Sequence, residues 1–371
     1  MRGNILLLIF LAVCATACTA TGDVAETERM ETSAELAALS EAVPALLEKH
    51  GVPSVSVAYV EGAKVAWSKA WGEAAPGQPA TADTLYDLAS MTKPVVAETI
   101  LRLVSKGEVS LDEPMSTYWV DPDIVDDPRH EDLTPRIALQ HRTGFPNWRP
   151  DDGPLAFGFD PGGRNGYSGE GFEYVARFVE RKTGAPFLDL LEEHVLDPAG
   201  MNRTAFVPSP PVARSLKSDG EWRDLRSTDT YTAAYGLYAT AADYARFLIY
   251  AMEGTGLTEH VKTERVRLAE NEVNNVCPPP MRAEGLCPNA MGYGLGWMVF
   301  ETDGNTLFVH SGKEPGRRTL GLFSPEREVG VVVLTNGDNG LQVIRDVVGI
   351  LYDEPSYTAM LSAQAQFDAA E

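Results

Sequence analysis

The chain is short of positive charge. Lysine and arginine number 31 against 53 aspartates and glutamates, which gives a formal net charge of −22 at pH 7 over 371 residues. Such a surface repels a phosphate backbone, and this excludes a nucleic-acid partner. Histidine is scarce at six and cysteine at four. They form no His-Glu-x-x-His and no paired metal-ligand spacing, so no metal site is expected. A glycine-rich phosphate loop is missing too, and no cofactor is implied. One apolar run stands out, Ile5 to Val13, and it is too short to cross a bilayer. There is no internal repeat and no low-complexity tract.

What is present at the start looks like an address. Arg2 precedes the apolar run and the small residues "CATAC" follow it, so residues 1–17 are expected to be a secretory signal and the protein to be exported to the periplasm. The stretch "ATAC" is similar to a bacterial lipobox ending at Cys18, with Ala15 where leucine is usual. Two readings stay open: a lipidated Cys18 anchoring the chain to a membrane, or plain export. Residues 18–32 are polar and are expected to be a flexible tether. In an exported chain Cys277 and Cys287, set in the Pro-rich "NNVCPPPMRAEGLCPNAMG", are expected to form a disulfide.

Composition from there on is that of a globular protein, 44% hydrophobic and 23% charged, enough for a sizeable core. One domain is expected over 33–360, with 361–371 as a C-terminal tail. "SAELAALSEAVPALLEKHG" has helical spacing and a glycine stop. "PSVSVAYVEG" and "KVAWSKAWG" read as a hairpin, and four more strand-like runs come between "LGWMVFETDG" and "EVGVVVLTNG". Between these ends the apolar spacing is helical. The expectation is a mixed α/β (α+β) fold, with a sheet built from both chain ends (52–75 and 290–337), flanking helices and a mostly helical inserted region over 90–255.

The chemistry centres on "LASMTKPVVAETILRLVSKG". Ser90 and Lys93 lie three residues apart at a helix start, close enough for their side chains to meet. Pro94 supports a start nearby. A lysine in an apolar setting has its pKa lowered and can take the serine's proton. On spacing alone the alternative, a serine cap beside a surface lysine, stays open.

The surrounding blocks bear on that choice. "LYDLASMTKPVVAETILRLVSKGEVSLDEPMSTYW", "IALQHRTGFPNW", "GYSGEGFEYVARFVERKTG", "VLDPAGMNRTAF", "AAYGLYATAADYARFL" and "FVHSGKEPG" occur in this order. In that order the sequence resembles the serine β-lactamase and penicillin-binding-protein family, most of all its class C branch, which also holds peptidases and carboxylesterases. The resemblance runs from about Ala34 to Tyr352. It implies an antiparallel sheet with an inserted helical region, Ser90 as nucleophile, Lys93 as its proton partner and Tyr167 as base or proton relay. It implies His310 as a substrate-orienting residue on an edge strand, where other members have lysine. The backbone N–H groups of Ser90 and Lys313 would form the oxyanion hole, with Gly312 and Gly169 at substrate-orienting positions. His141 is expected to pack rather than react. Gly169 stands where the family has an asparagine that bonds a substrate amide, and with His310 this puts efficient β-lactam hydrolysis in doubt.

Competing sites are poor. "GYSGE" departs from Gly-x-Ser-x-Gly at Glu170 and follows a loop rather than a strand. The expected function is an exported serine hydrolase that cleaves a small-molecule ester, amide or peptide through a Ser90 acyl-enzyme, esterase or peptidase before β-lactamase. The alternatives are a β-lactamase or D-Ala-D-Ala carboxypeptidase, a penicillin-binding module that acylates without turnover, and an inactive scaffold. Substrate and oligomeric state are not legible.

Overall fold

A computed structural model describes the backbone of residues 17–151, 153–225 and 231–368 and the side chains from residue 34 onward. The signal-like run and the Cys18 side chain lie outside the described residues. The chain divides into two compact units, Met1–Val43 and Pro44–Glu371. Helix α1 (Ala17–His50) accounts for the described part of the first. The backbone of 18–32, expected as a tether, is part of this helix. Within it "AETERME" (25–31) is mostly good helix formers, and no proline interrupts the helix before Pro44.

The larger unit is organised on one sheet. β1 (Ser54–Glu61), β2 (Lys64–Ala75) and β3 (Gln78–Pro79) come from the first part of the chain. β6 (Ala290–Tyr293), β7 (Met298–Thr302), β8 (Asn305–Glu314), β9 (Arg317–Ser324) and β10 (Val329–Thr335) come from the last part. The order is β3-β2-β1-β10-β9-β8-β7-β6, antiparallel throughout, with β1 against β10 joining the two ends of the chain. Both central strands are mainly apolar, "SVSVAYV" and "VGVVVLT", and carry only small polar residues. Residues facing both sides of them are buried, so both faces of the sheet are covered. A separate two-stranded ladder, β4 (Tyr86–Asp87) with β5 (Tyr238–Ala239), ties the nucleophile region to the chain after the helices.

The inserted region carries α2 (Thr92–Lys106), α3 (Pro135–Leu139), α4 (Gly169–Thr183), α5 (Phe187–Leu191), a π-turn at Glu192–Leu196, α6 (Asp197–Ala199) and α7 (Ala241–Glu253). Short helices α8 (Glu259–Val266), α9 (Val273–Val276) and α10 (Pro279–Ala283) precede β6. The α9–α10 stretch is closed by the Cys277–Cys287 disulfide, with Cα atoms 5.9 Å apart. After the sheet come α11 (Gly340–Leu351) and α12 (Pro355–Asp368). α7 packs on β1, β2, β9 and β10, and α11 packs on β9 and β10. The tail expected from 361 is helical as far as Asp368. Tyr357, Leu361 and Ala365 recur every four residues and are buried, an apolar stripe too sparse to stand out in the sequence.

α2 is buried on all sides through Leu103, polar residues included. Glu98 on it is fully buried and accepts from Arg102 Nη1 at 2.6 Å, Arg265 Nη1 at 3.0 Å and Trp297 Nε1 at 3.1 Å. Burial alone would push its pKa up, but Arg265 and Arg102 outweigh it and hold the carboxylate below the usual range. Trp297 in turn packs on Phe247, Phe308 and Phe323. This network locks α2 to α8 and the sheet. Replacing Glu98 by alanine strands two buried guanidinium groups, so Glu98→Ala should cost about 3–5 kcal/mol in urea unfolding. A loss below about 1 kcal/mol would mean that the packing holds α2 without the network.

Candidate active site

Ser90 sits in a 3₁₀ turn, Ala89–Met91, just ahead of α2. The turn is held against its own preference. Ala89 has φ +48°, a left-handed backbone that a residue with a Cβ adopts at a cost of order 1–3 kcal/mol. Three contacts hold it there. Ala89 N donates to Asp87 Oδ1 at 2.8 Å, the other Asp87 oxygen pairs with Arg317 of β9, and Thr319 Oγ1 donates to Leu88 O at 2.9 Å. Asp87 and Arg317 are both buried.

β8 pairs with β7 only as far as Val309. From His310 to Glu314 its outer edge has no strand partner among the described residues and runs beside the Ser90 turn. Gly312 sets the approach. A Cβ there would lie 2.2 Å from Thr319 Oγ1 and 2.4 Å from Leu88 O, so a side chain would drive the strand away from the turn. Gly312 therefore acts by steric necessity, and Lys313 is the next residue along that edge.

Lys93 is fully buried. Its Nζ donates to Ser90 Oγ at 3.2 Å and to Ala234 O at 2.8 Å, and it lies 4.9 Å from the Tyr167 ring centroid. Burial pulls its pKa from 10.5 down to about 7, against the pull of Glu173 and Glu314 in the other direction. Tyr167 is hydrogen-bonded to Ser90, and burial pushes its pKa up to about 12. At neutral pH this leaves a lysine able to accept a proton and a phenol that keeps its own. The surface-lysine alternative for the pair is thereby excluded.

His310 is buried, and its ring centroid is 6.4 Å from that of Tyr167. Burial and the neighbouring Lys93 hold its pKa down to about 3, so it is uncharged. Its Nδ1 donates to Ser311 O at 2.8 Å, which leaves Nε2 as the acceptor. His141 packs, as expected: its ring lies 4.3 Å from Tyr167, 5.1 Å from Phe172 and 4.7 Å from Tyr293. Its Nδ1 accepts from Ser168 N at 3.1 Å, so it also fixes the backbone that presents Tyr167. The Ser168 hydroxyl is occupied as the N-cap of α4, accepting from Gly171 N at 2.9 Å and donating to Pro146 O at 2.8 Å. Both of these partners are backbone groups, and the His141 ring bonds the Ser168 N–H rather than its hydroxyl.

Several site residues escaped the sequence reading. A Cβ on Gly169 would meet the Trp148 ring at 2.5 Å and Asn147 O at 2.9 Å. Gly169, expected at a substrate-orienting position, thus makes room for an indole over the start of α4. Trp148 meets Tyr235 edge to face at 5.1 Å and lies 6.0 Å from Lys93 Nζ. Glu173, one turn into α4, accepts from the backbone N–H groups of Ala233 and Ala234, the latter at 3.1 Å, and so pins the residue whose carbonyl, one peptide on, holds Lys93. Trp148 and Tyr235 each lie inside a block that was singled out, but nothing in either block signals that they pair.

Comparison with known proteins bears on the family and the fold. The family model Beta-lactamase matches residues 39–347. Among curated relatives, Esterase EstB of Burkholderia gladioli is 31% identical over 237 residues, 53% of this chain and 58% of the esterase, so the match spans little more than half of that protein. The D-alanyl-D-alanine-carboxypeptidase/endopeptidase AmpH of Escherichia coli is 22% identical over 72% of this chain and 75% of its own length. Among solved structures, a class C beta-lactamase mutant superposes with TM-score 0.72 at 16% identity, covering 86% of this chain and 97% of the other. An octameric penicillin-binding protein homologue from Pyrococcus abyssi superposes with TM-score 0.68 at 22% identity, covering 90% and 77%.

Gly312 offers a direct check on the geometry. Gly312→Ala should remain folded, because the strand can slide outward, yet lose roughly 10²-fold or more in reactivity of Ser90 toward a fluorophosphonate, since displacements near 1 Å cost that much. Labelling at the wild-type rate would show that the close approach of β8 is not needed.

Proposed function

The chain belongs to the beta-lactamase family, and on that premise we propose that this serine hydrolase cleaves small uncharged esters or amides through an acyl-enzyme on Ser90. The observation that carries the reading is the bonded set Ser90–Lys93–Tyr167, with Lys93 at a pKa of about 7. Uncharged Lys93 takes the hydroxyl proton as Ser90 Oγ forms its bond to the substrate carbonyl carbon. The N–H groups of Ser90 and Lys313 meet the oxyanion. The proton passes from Lys93 through Tyr167 to the leaving group as its bond to carbon breaks. Water then attacks the acyl ester and gives its proton back along the same pair, and the acid product leaves with Ser90 restored. A Tyr167 pKa of about 12 favours Lys93 as the base and Tyr167 as the relay.

Preference for esters over β-lactams follows from unpaired groups. A β-lactam brings a carboxylate and a side-chain amide. His310 is uncharged, and the cations that follow it are already engaged: Lys313 and Arg318 with Asp368 at 2.6 and 3.2 Å, Arg317 with Asp87. Gly169 offers the amide no donor, and the Trp148 ring covers its position. Each missing bond removes about 1–3 kcal/mol. The esterase relative supports the same choice. The carboxypeptidase relative favours a second reading, cleavage of D-alanyl peptides, and Arg2, Ile5–Val13 and the small residues before Cys18 support export to the periplasm.

Two measurements test the reading. Ser90→Ala should lose on the order of 10⁶-fold in turnover, and kcat/KM for p-nitrophenyl butyrate should rise with pH through a midpoint near 7, because a depressed lysine pKa makes the base form available above it. A pH-independent rate between 5 and 9, or adduct formation on Ser168, would refute the assignment. Side by side, p-nitrophenyl butyrate should exceed nitrocefin by on the order of 10²–10³-fold in kcat/KM. A single stoichiometric burst without steady release would point instead to a module that acylates once.

A further inference from the structure

The segment Ala233–Leu237 bridges α4 and the nucleophile turn. Ala234 O accepts from Lys93 Nζ at 2.8 Å, Leu237 N donates to Thr92 Oγ1 at 3.2 Å, and Leu237 O accepts from Leu88 N at 2.9 Å. On the α4 side Glu173 accepts from Ala233 N and, at 3.1 Å, from Ala234 N. Ala234 therefore has a carboxylate on its N–H and the Lys93 amine on its C=O. The N-cap of α4 is Ser168, next to Tyr167, so one helix start places both the phenol and the group that seats the amine. A neutral acceptor would satisfy the same two N–H groups without burying a charge. Burial does push the Glu173 pKa up, while the two N–H groups and Lys93 favour the ionised form.

We propose that Glu173 is a positioning residue for the base: it seats the Ala234 carbonyl against Lys93, and its charge sets the pH at which the amine can take the Ser90 proton. The inference rests on the serine-hydrolase reading and deepens it. The other groups around Lys93 leave this task to Glu173. Tyr167 keeps its proton, and His310 and His141 are held uncharged by burial and by Lys93 itself. Glu314, from β8, pulls in the same direction as Glu173 and more weakly. On the far side of Glu173, Arg149 is engaged with Glu170 at 2.9 Å and Asp121 at 3.1 Å, and Arg177 lies over the Trp119 ring at 5.3 Å. Glu170 pushes the Glu173 pKa further up, and the Tyr231 phenol, raised by burial, stays neutral. The negative charge of Glu173 favours the ammonium form of Lys93. Without it the uncharged amine persists to lower pH.

The test follows the rate at which a fluorophosphonate labels Ser90 in the full chain across the pH range, beside kcat/KM for p-nitrophenyl butyrate. In the wild type both should rise through a midpoint near 7. Glu173→Gln keeps an acceptor for Ala234 N and removes the charge, so its midpoint should fall by roughly one pH unit. Its high-pH plateau should stay within roughly fivefold of wild type, because one neutral hydrogen bond is lost. A merely structural role would lower the plateau and leave the midpoint in place. Glu173→Asp keeps the charge but draws the carboxylate back by one methylene, so the midpoint should hold while the plateau drops on the order of tenfold or more. Glu173→Met takes the place of Glu173→Gln if the latter does not fold, and its midpoint should fall as far. A midpoint that stays or rises in the folded variant without the charge overturns the proposal, as does a wild-type plateau in Glu173→Asp. Wild-type protein that neither labels at Ser90 nor turns over the ester overturns the hydrolase reading, and this one with it; labelling at Ser90 with an unmoved midpoint overturns this one alone.

Discussion

The site depends on burying one ammonium-bearing side chain. Taking Lys93 out of water costs several kcal/mol if it stays charged, so its pKa falls to about 7 and the uncharged amine becomes an ordinary state of the protein. An ion pair made directly with a carboxylate would undo this, by holding the lysine charged at every working pH. Nζ donates to a hydroxyl and a carbonyl, Ser90 Oγ and Ala234 O, which orient the amine without fixing its charge. Glu173 is displaced by one peptide. It grips the N–H groups of Ala233 and Ala234, so its charge reaches Lys93 only at a distance while its geometry is used in full.

The surrounding construction keeps Ser90 in reach of that amine. The 3₁₀ turn carries a left-handed alanine, and the chain holds it by a buried Asp87–Arg317 pair that reaches from β4 to β9. Such a pair contributes little net stability compared with apolar packing. Its contribution here is placement: it ties the strand beside β8 to the turn that bears the nucleophile. Gly312 lets β8 close against the same turn, and the Glu98 network fixes the helix behind it. Strain at Ala89, a glycine contact and two buried ion networks converge on one serine, which is where departures from local preference are expected to collect.

Much of this was legible in the sequence. Strand-like runs such as "PSVSVAYVEG" and "EVGVVVLTNG" pointed to a sheet built from both chain ends, and Ser90 and Lys93, ambiguous on spacing alone, took their chemistry from the order of the surrounding blocks. What was not legible acts through tertiary contact. β4 and β5 are two residues each, too short to show a period. α12 carries three buried side chains among small and polar ones, and its end at Asp368 gains meaning only when Lys313 and Arg318 are seen opposite each other. Trp148 reads as one more aromatic until the space above Gly169 is found filled by it.

The charge pattern of the site has a consequence that the net charge of the chain does not. A count of −22 would suggest that anions are turned away by the general field, an effect that salt screens beyond about 10 Å. The local arrangement is more specific. His310 is uncharged, Arg317 is spent on the nucleophile's turn, and Lys313 and Arg318 are spent on Asp368. The Arg317–Asp87 pair is buried, so salt does little to release Arg317 for a substrate. Selectivity built this way survives physiological ionic strength, and it can be altered one residue at a time. Ser90, Lys93 and Tyr167 are held by contacts of their own, so under the proposed reading the charge around the site can change without moving them.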